Sequence, residues 1–296
     1  ASGAGAVPAF IATNAGIADI NGTVAVNATL NGCTGPASNY LITVKPLPAM
    51  TALANQIVCT GANVPSSAFS SVPAGATFAW TNSNTAIGLA ANGNGNLPPF
   101  VAVNATAAYV NSTITVTPTF NGCSGASSNY NISVAPEASL TAPTNQTFCA
   151  GAVVPVTNIN SSPAGTTYTW TNSNPAIGLA AGGNGDVPSF VAGTAGAAVE
   201  TATITLTPAF GGCNGNAVSY TITVKPLPQA NVPLNQIICN GAAVPAANFT
   251  SVPGAATFAW TNNNTSIGLA ANGSGNIAGF SAINSGSAPV VANSTV

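Results

Sequence analysis

The sequence contains no histidine and no arginine. Its whole charge inventory is two lysines, Lys45 and Lys225, and four acids, Asp19, Glu137, Asp186 and Glu200. Charged residues make up 2% of the chain, against about 25% in an ordinary globular domain. Acid–base catalysis needs a group that titrates near neutral pH, or a carboxylate perturbed by a partner. No two acids here occupy equivalent positions, so that chemistry is excluded on inventory. Serine and threonine abound, but a hydroxyl nucleophile needs a base. A net charge of −2 provides no basic patch for nucleic acid. Four scattered carboxylates do not make a calcium loop. Cysteines without C-x-x-C spacing or histidine do not make a zinc site. No apolar run reaches the roughly 18 residues of a membrane span. The chain is therefore read as no enzyme, without a cofactor or metal.

What remains is apolar and periodic. With 46% hydrophobic residues in 296, the chain can bury a sizeable core, and it lacks the low-hydrophobicity, high-charge signature of disorder. Trp80, Trp170 and Trp260 recur at a step of 90 residues. The same step relates Cys33, Cys123 and Cys213, then Cys59, Cys149 and Cys239, then Tyr40, Tyr130 and Tyr220. TNSNTAIGLAANGNGN (81–96), TNSNPAIGLAAGGNGD (171–186) and TNNNTSIGLAANGSGN (261–276) are near copies. Internal repetition of this kind sets domain organisation before any local reading.

Proline-rich strings at 44–48, 134–138 and 224–228 mark the boundaries, because proline cannot donate to a sheet ladder and favours an extended linker. The segments expected are the C-terminal part of a repeat (1–45), two complete repeats (46–135 and 136–225) and the N-terminal part of a further repeat (226–296). The chain begins at Ala1, without a signal sequence, and both ends fall inside a repeat. It is read as a mature or internal window on a longer polypeptide.

Inside each repeat the period is two. STITVTPTF (112–120), TATITLTPAF (201–210), NYNISV (129–134) and SYTITV (219–224) alternate β-branched or aromatic residues with polar ones, the pattern of half-buried strands. No sustained 3.6-residue period points to a helix. About 90 residues with some seven short strands is the size of an immunoglobulin-like sandwich. The fold class expected is therefore all-β, as tandem β-sandwich domains. Trp80, Trp170 and Trp260 take the place of the core tryptophan on the central strand. The Asn-Gly runs at 92–96 and their copies read as turns, where glycine supplies positive φ.

The order VCTGANV (58–64), VPAGATFAWTNSNTAIGLA (72–90), FVAVNAT (100–106) and STITVTPTFNGC (112–123) resembles the PKD-like, immunoglobulin-like repeats of giant secreted surface proteins of Bacteroidota. The resemblance implies a secreted multi-repeat protein used in adhesion or gliding, and no catalysis. Where the standard PKD repeat has W-D-F-G-D-G, this chain reads WTNSN, so calcium binding at that turn is not carried over.

Six cysteines without metal ligands imply disulfides and an oxidising, extracellular compartment. Pairing within each repeat joins Cys59 to Cys123 and Cys149 to Cys213, leaving Cys33 and Cys239 to partners outside the window. This makes each domain self-contained and is placed first. The alternative joins Cys59 to Cys213 across neighbouring repeats. It follows from a strict immunoglobulin topology, in which the A–B and F–G turns lie at opposite ends of the sandwich.

Two surface features complete the reading. Thr113, Thr115, Thr117 and Thr119, with Thr201, Thr203, Thr205 and Thr207, line one face of two strands. Asn104, Asn111, Asn131 and Asn145 each head an Asn-x-Ser/Thr triplet and are candidate glycosylation sites. The function expected is a structural and adhesive repeat region of a large secreted or cell-surface protein, acting as an extended, protease-resistant stalk. Its partners are neighbouring repeats of the same chain, with no nucleic acid and no membrane span. Two alternatives remain open: a filament subunit joined to copies of itself, and a module that binds surface glycans or ice through the threonine faces.

Overall fold

The computed structural model describes residues 3–296. Among these the protein is all-β, an array of immunoglobulin-like sandwiches. Its helical content is three single 3-10 turns, at Thr85–Ile87, Pro175–Ile177 and Thr265–Ile267. The principal strands are β1 (Ile20–Val26), β2 (Ser38–Val44), β3 (Gln56–Cys59), β4 (Thr77–Asn82), β5 (Asn92–Asn94), β6 (Val110–Phe120), β7 (Ser128–Ala135), β8 (Gln146–Cys149), β9 (Thr167–Asn172), β10 (Gly182–Asn184), β11 (Glu200–Phe210), β12 (Val218–Lys225) and β13 (Ala259–Asn262).

The first complete repeat builds one large sheet in the order β5-β4-β6-β7-β3. β6 carries the alternation read from the sequence: Ser112, Ile114, Val116 and Pro118 point inward and are buried, while the threonines between them face outward. β4 and β7 flank it antiparallel, and β3 closes the edge parallel to β7, with Cys59 opposite Ala135. The opposing layer is made of short pairs, Asn63–Val64 with Phe100–Val101 and Ala49–Met50 with Ser71–Val72. The second repeat repeats this sheet as β8-β12-β11-β9-β10.

Each repeat encloses its own apolar cluster around its tryptophan. Trp80 packs with Phe69, Leu97, Ile114, Tyr130 and Ile132, and Trp170 with Val187, Ile204, Leu206, Tyr220 and Ile222. The third cluster is small, with Phe249, Trp260 and Ile277 as its buried members. At the other end of the sequence β2 pairs with β1 alone. Its Tyr40 is 44% exposed, where Tyr130 and Tyr220 are 2% exposed.

The glycines of the Asn-Gly runs are not all turn residues. Gly93 lies in β5, opposite Trp80 of β4, and only Gly95 beyond it takes positive φ. A Cβ at Gly93 would stand 2.3 Å from Trp80 Cζ2, and one at Gly183 2.6 Å from Trp170 Cζ2. These glycines let the indole lie flat against the neighbouring strand, a packing role in place of the turn role expected.

By compactness the chain divides into two units. The first comprises residues 1–139, 161–166 and 209–215, and the second residues 140–160, 167–208 and 216–296. The first therefore takes in two loop tips that the sequence period assigns to the following repeat.

Candidate functional site: the staple between consecutive repeats

Within the first unit, Cys59 is bonded to Cys213 with their Cα atoms 5.5 Å apart. Cys33, Cys123, Cys149 and Cys239 are unbonded. The pairings placed first from the sequence, Cys59–Cys123 and Cys149–Cys213, are thus corrected to the cross-repeat bond. The cause is the parallel partnership of β3 and β7. It carries Cys59 to the far end of the sheet, beside Ala135, while Cys123 sits at the hairpin tip where β7 begins. β7 has 8 residues, so at about 3.3 Å per residue the two cysteines stand on the order of 25 Å apart. A disulfide requires Cα atoms within about 7 Å.

Two residues that break the period, Tyr109 and Gly211, help to fit this junction together. Tyr109 packs against Phe210 with ring centroids 5.5 Å apart and ring planes tilted by 40°. The next residue is Gly211 with φ +58°, where the period places Asn31 and Asn121, also at positive φ. A Cβ at 211 would fall 2.0 Å from Tyr109 Oη, so only glycine admits the tyrosine here. Lys45, near the other end of the unit, donates from Nζ to Asn121 O at 2.8 Å. Gly125 packs so closely on Pro48 that a Cβ would lie 1.8 Å from its carbonyl oxygen. The hairpin tips therefore seat on the linkers even where no disulfide holds them.

The WTNSN motif has a structural role that sequence reasoning missed. Asn82 is buried and donates from Nδ2 to Leu89 O and Ala90 O, and its Oδ1 accepts from the Asn84 amide and from Ser112 Oγ. Asn84 then caps the 3-10 turn by accepting from Ala86 N. Asn172 and Asn174 repeat the device. A buried amide with its donors and acceptor satisfied contributes specificity without leaving an unpaired polar group. The signal available in the sequence was the recurrence of asparagine two residues after each tryptophan.

The four glycosylation candidates separate. Asn111, Asn131 and Asn145 are exposed. Asn104 is buried, and its Nδ2 donates both to Ala108 O and to Val134 O. Its amide is committed to the fold, and Asn104 is withdrawn as a sugar acceptor. The threonine faces are also partly committed. Thr113 Oγ1 donates to Asn131 Oδ1, and the hydroxyls of Thr117 and Ser127, of Thr119 and Ser124, and of Thr201 and Thr223 bond each other across strands.

One acid perturbs a neighbour. Tyr168 donates from its hydroxyl to Asp186 Oδ1, and its pKa is pushed up from 10.0 to about 12, first by desolvation and then by this bond and the carboxylate charge. The sign follows from linkage: a raised folded-state pKa favours the neutral phenol, so the contribution is fully present below pH 10.0 and is lost as pH rises through about 12. In a phenolate-absorbance titration, Asp186→Asn is expected to lower the Tyr168 midpoint. Desolvation, the larger cause, keeps it above 10.0. An unchanged midpoint would exclude the contact.

No curated protein matches the chain. Among solved structures it is similar to DIP-gamma IG1+IG2 at 10% identity, covering 61% of this chain and 98% of that one, with TM-score 0.35. Human CDH23 EC21-23 is similar at 10% identity, covering 81% and 92%, with TM-score 0.39. Residues 56–138 match the family model of the PKD-like domain, and the sequence period carries that segment's cysteine, tryptophan and IGLA landmarks to either side of it.

Proposed function

We propose that this chain is a structural and adhesive repeat region of a secreted or cell-surface protein, acting as a protease-resistant stalk. The observation that carries the reading is the Cys59–Cys213 bond, which joins one 90-residue repeat covalently to the next. A bond of this kind implies an oxidising compartment and serves mechanical continuity more directly than it serves any single domain. The PKD-like match over 56–138 and the lack of an acid–base pair in the sequence support the same reading. The glycan- or ice-binding alternative loses ground to the cross-strand hydroxyl pairs.

Proteolysis tests the stalk reading. Lys45 and Lys225 each precede proline, so trypsin has no good site even in the denatured chain. Chymotrypsin has exposed targets at Phe10 and Tyr40. Its expected effect on the native, oxidised chain is trimming there, with the stretch from β3 to β12 left intact. Reduction and denaturation should restore chymotryptic cleavage throughout while trypsin resistance persists. Rapid loss of that stretch from the native chain would mean that the sandwiches open readily, and the stalk reading would fail.

A further inference from the structure

We propose that Tyr109 and Gly211 form a matched pair that selects which hairpin tip is stapled to Cys59, so that near-identical repeats join in one order. The chain offers Cys59 three tips of the same build. Leu30-Asn31-Gly32-Cys33, Phe120-Asn121-Gly122-Cys123 and Phe210-Gly211-Gly212-Cys213 each close a two-residue turn, with the cysteine directly after it. The turns agree in shape: φ is +50°, +49° and +58° at their first residues and +84° at the second residue of all three. Backbone geometry therefore gives Cys59 no reason to prefer Cys213.

The difference lies in one Cβ. Of the three tips, the third alone has glycine at the first turn position. The turn itself does not demand it, because Asn31 and Asn121 hold the same positive φ, a conformation asparagine tolerates. The demand comes from Tyr109. Its Oη lies 2.0 Å, and its Cζ 3.1 Å, from where a Cβ at 211 would stand. A tip carrying asparagine would meet the tyrosine there and push it off Phe210, against which it packs. The seat beside Cys59 thus accepts the Gly211 tip and penalises the Asn31 and Asn121 tips.

The preceding junction makes the complementary choice. Its tip carries Asn121, held through its carbonyl by Lys45 Nζ. There the period puts Asp19 in the place of Tyr109, a side chain far shorter than a tyrosine. Asparagine goes with the short side chain and glycine with the long one. The two junctions are keyed differently while the turns stay the same. A clash against the wrong partner separates close copies that attraction alone would not. Tandem repeats have a use for it, since misassembly between equivalent units is their characteristic failure.

The staple forms when the thiols of Cys59 and Cys213 give up two protons and two electrons to an oxidant of the small-disulfide class, which leaves as two thiols. The pair acts before that step, by holding one thiol in reach and not the others. The test refolds the reduced, denatured 296-residue chain in an oxidised/reduced glutathione buffer and traps free thiols by alkylation. Mass spectrometry then counts the peptides linked to Cys59. The unaltered chain should favour Cys59–Cys213 over Cys59–Cys33 and Cys59–Cys123, with bonds within and between chains both counted. Gly211→Asn should lower that preference roughly fivefold, the order of one lost aromatic contact. Tyr109→Val opens the seat to every tip and should lower it similarly. The deciding chain carries both substitutions, where asparagine should cost nothing further. A preference unchanged by Gly211→Asn would overturn the proposal. An equal further fall when Gly211→Asn is added to Tyr109→Val would also overturn it, because the glycine would then serve its own turn alone. Loss of the Cys59–Cys213 bond from both chains that carry Gly211→Asn would count the same way.

Discussion

Cys213→Ser is expected to lower the thermal transition of the first unit by roughly 10–20 °C. The bond closes a loop across a sequence separation of 154 residues, and in the chain-entropy account a loop of that size contributes about 5 kcal/mol by restricting the unfolded chain. For a unit of this size each kcal/mol moves the midpoint by about 2–4 °C. Cys123→Ser in the monomer should leave the transition in place, since Cys123 is unbonded. The contrast is sharp, because a bond closed within the repeat would make Cys123 the sensitive position. Thermal unfolding followed by circular dichroism decides between them. Equal effects of the two substitutions would refute the cross-repeat staple as the source of stability. Thiol labelling of the denatured, unreduced monomer provides an independent count and should find four free thiols.

Gly93→Ala should cost about 3 kcal/mol, a large effect for one methyl group. The added Cβ would lie 2.3 Å from Trp80 Cζ2 and 2.6 Å from Cε2, well inside contact distance, and Trp80 is 3% exposed with no room to retreat. Overpacking of a filled core typically costs 1–3 kcal/mol. Replacing glycine in a strand returns only part of this through lower backbone entropy in the unfolded chain. Trp80→Phe leaves space beside Gly93 and is itself destabilising. In the double variant the added methyl occupies that space, so the two costs should sum to more than the double variant shows. Urea unfolding of the four proteins, followed by far-ultraviolet dichroism, measures the coupling. Strict additivity would mean that the two residues do not meet.

Much of the fold was legible because its determinants are local and repeated. The alternation from Ser112 to Phe120 places β6 and its inward face, and the recurrence of tryptophan marks the central strand. The pairing of cysteines was not legible in the same way. It depends on which end of the sheet Cys59 reaches, and that is decided by a parallel ladder to β7, a contact between residues 76 apart such as Gln56 and Ile132. Asn104 misled for a related reason: its triplet is a surface motif by sequence, while its burial follows from bonds to Ala108 and Val134. Gly93 was read as a turn residue because Asn-Gly is a turn signal. Its contact with the indole exists only once β5 lies beside β4.

The staple also bears on how far the chain can be drawn out. Between Cys59 and Cys213 lies a contour of roughly 500 Å when fully extended, at about 3.4 Å per residue. With the bond intact, a pull applied outside the two cysteines passes through sulfur, and that length is withheld. With the bond reduced, the same pull reaches the strands of the repeats and can release all of it. One thiol–disulfide exchange therefore decides whether the length between the two cysteines is withheld from a pull or released to it.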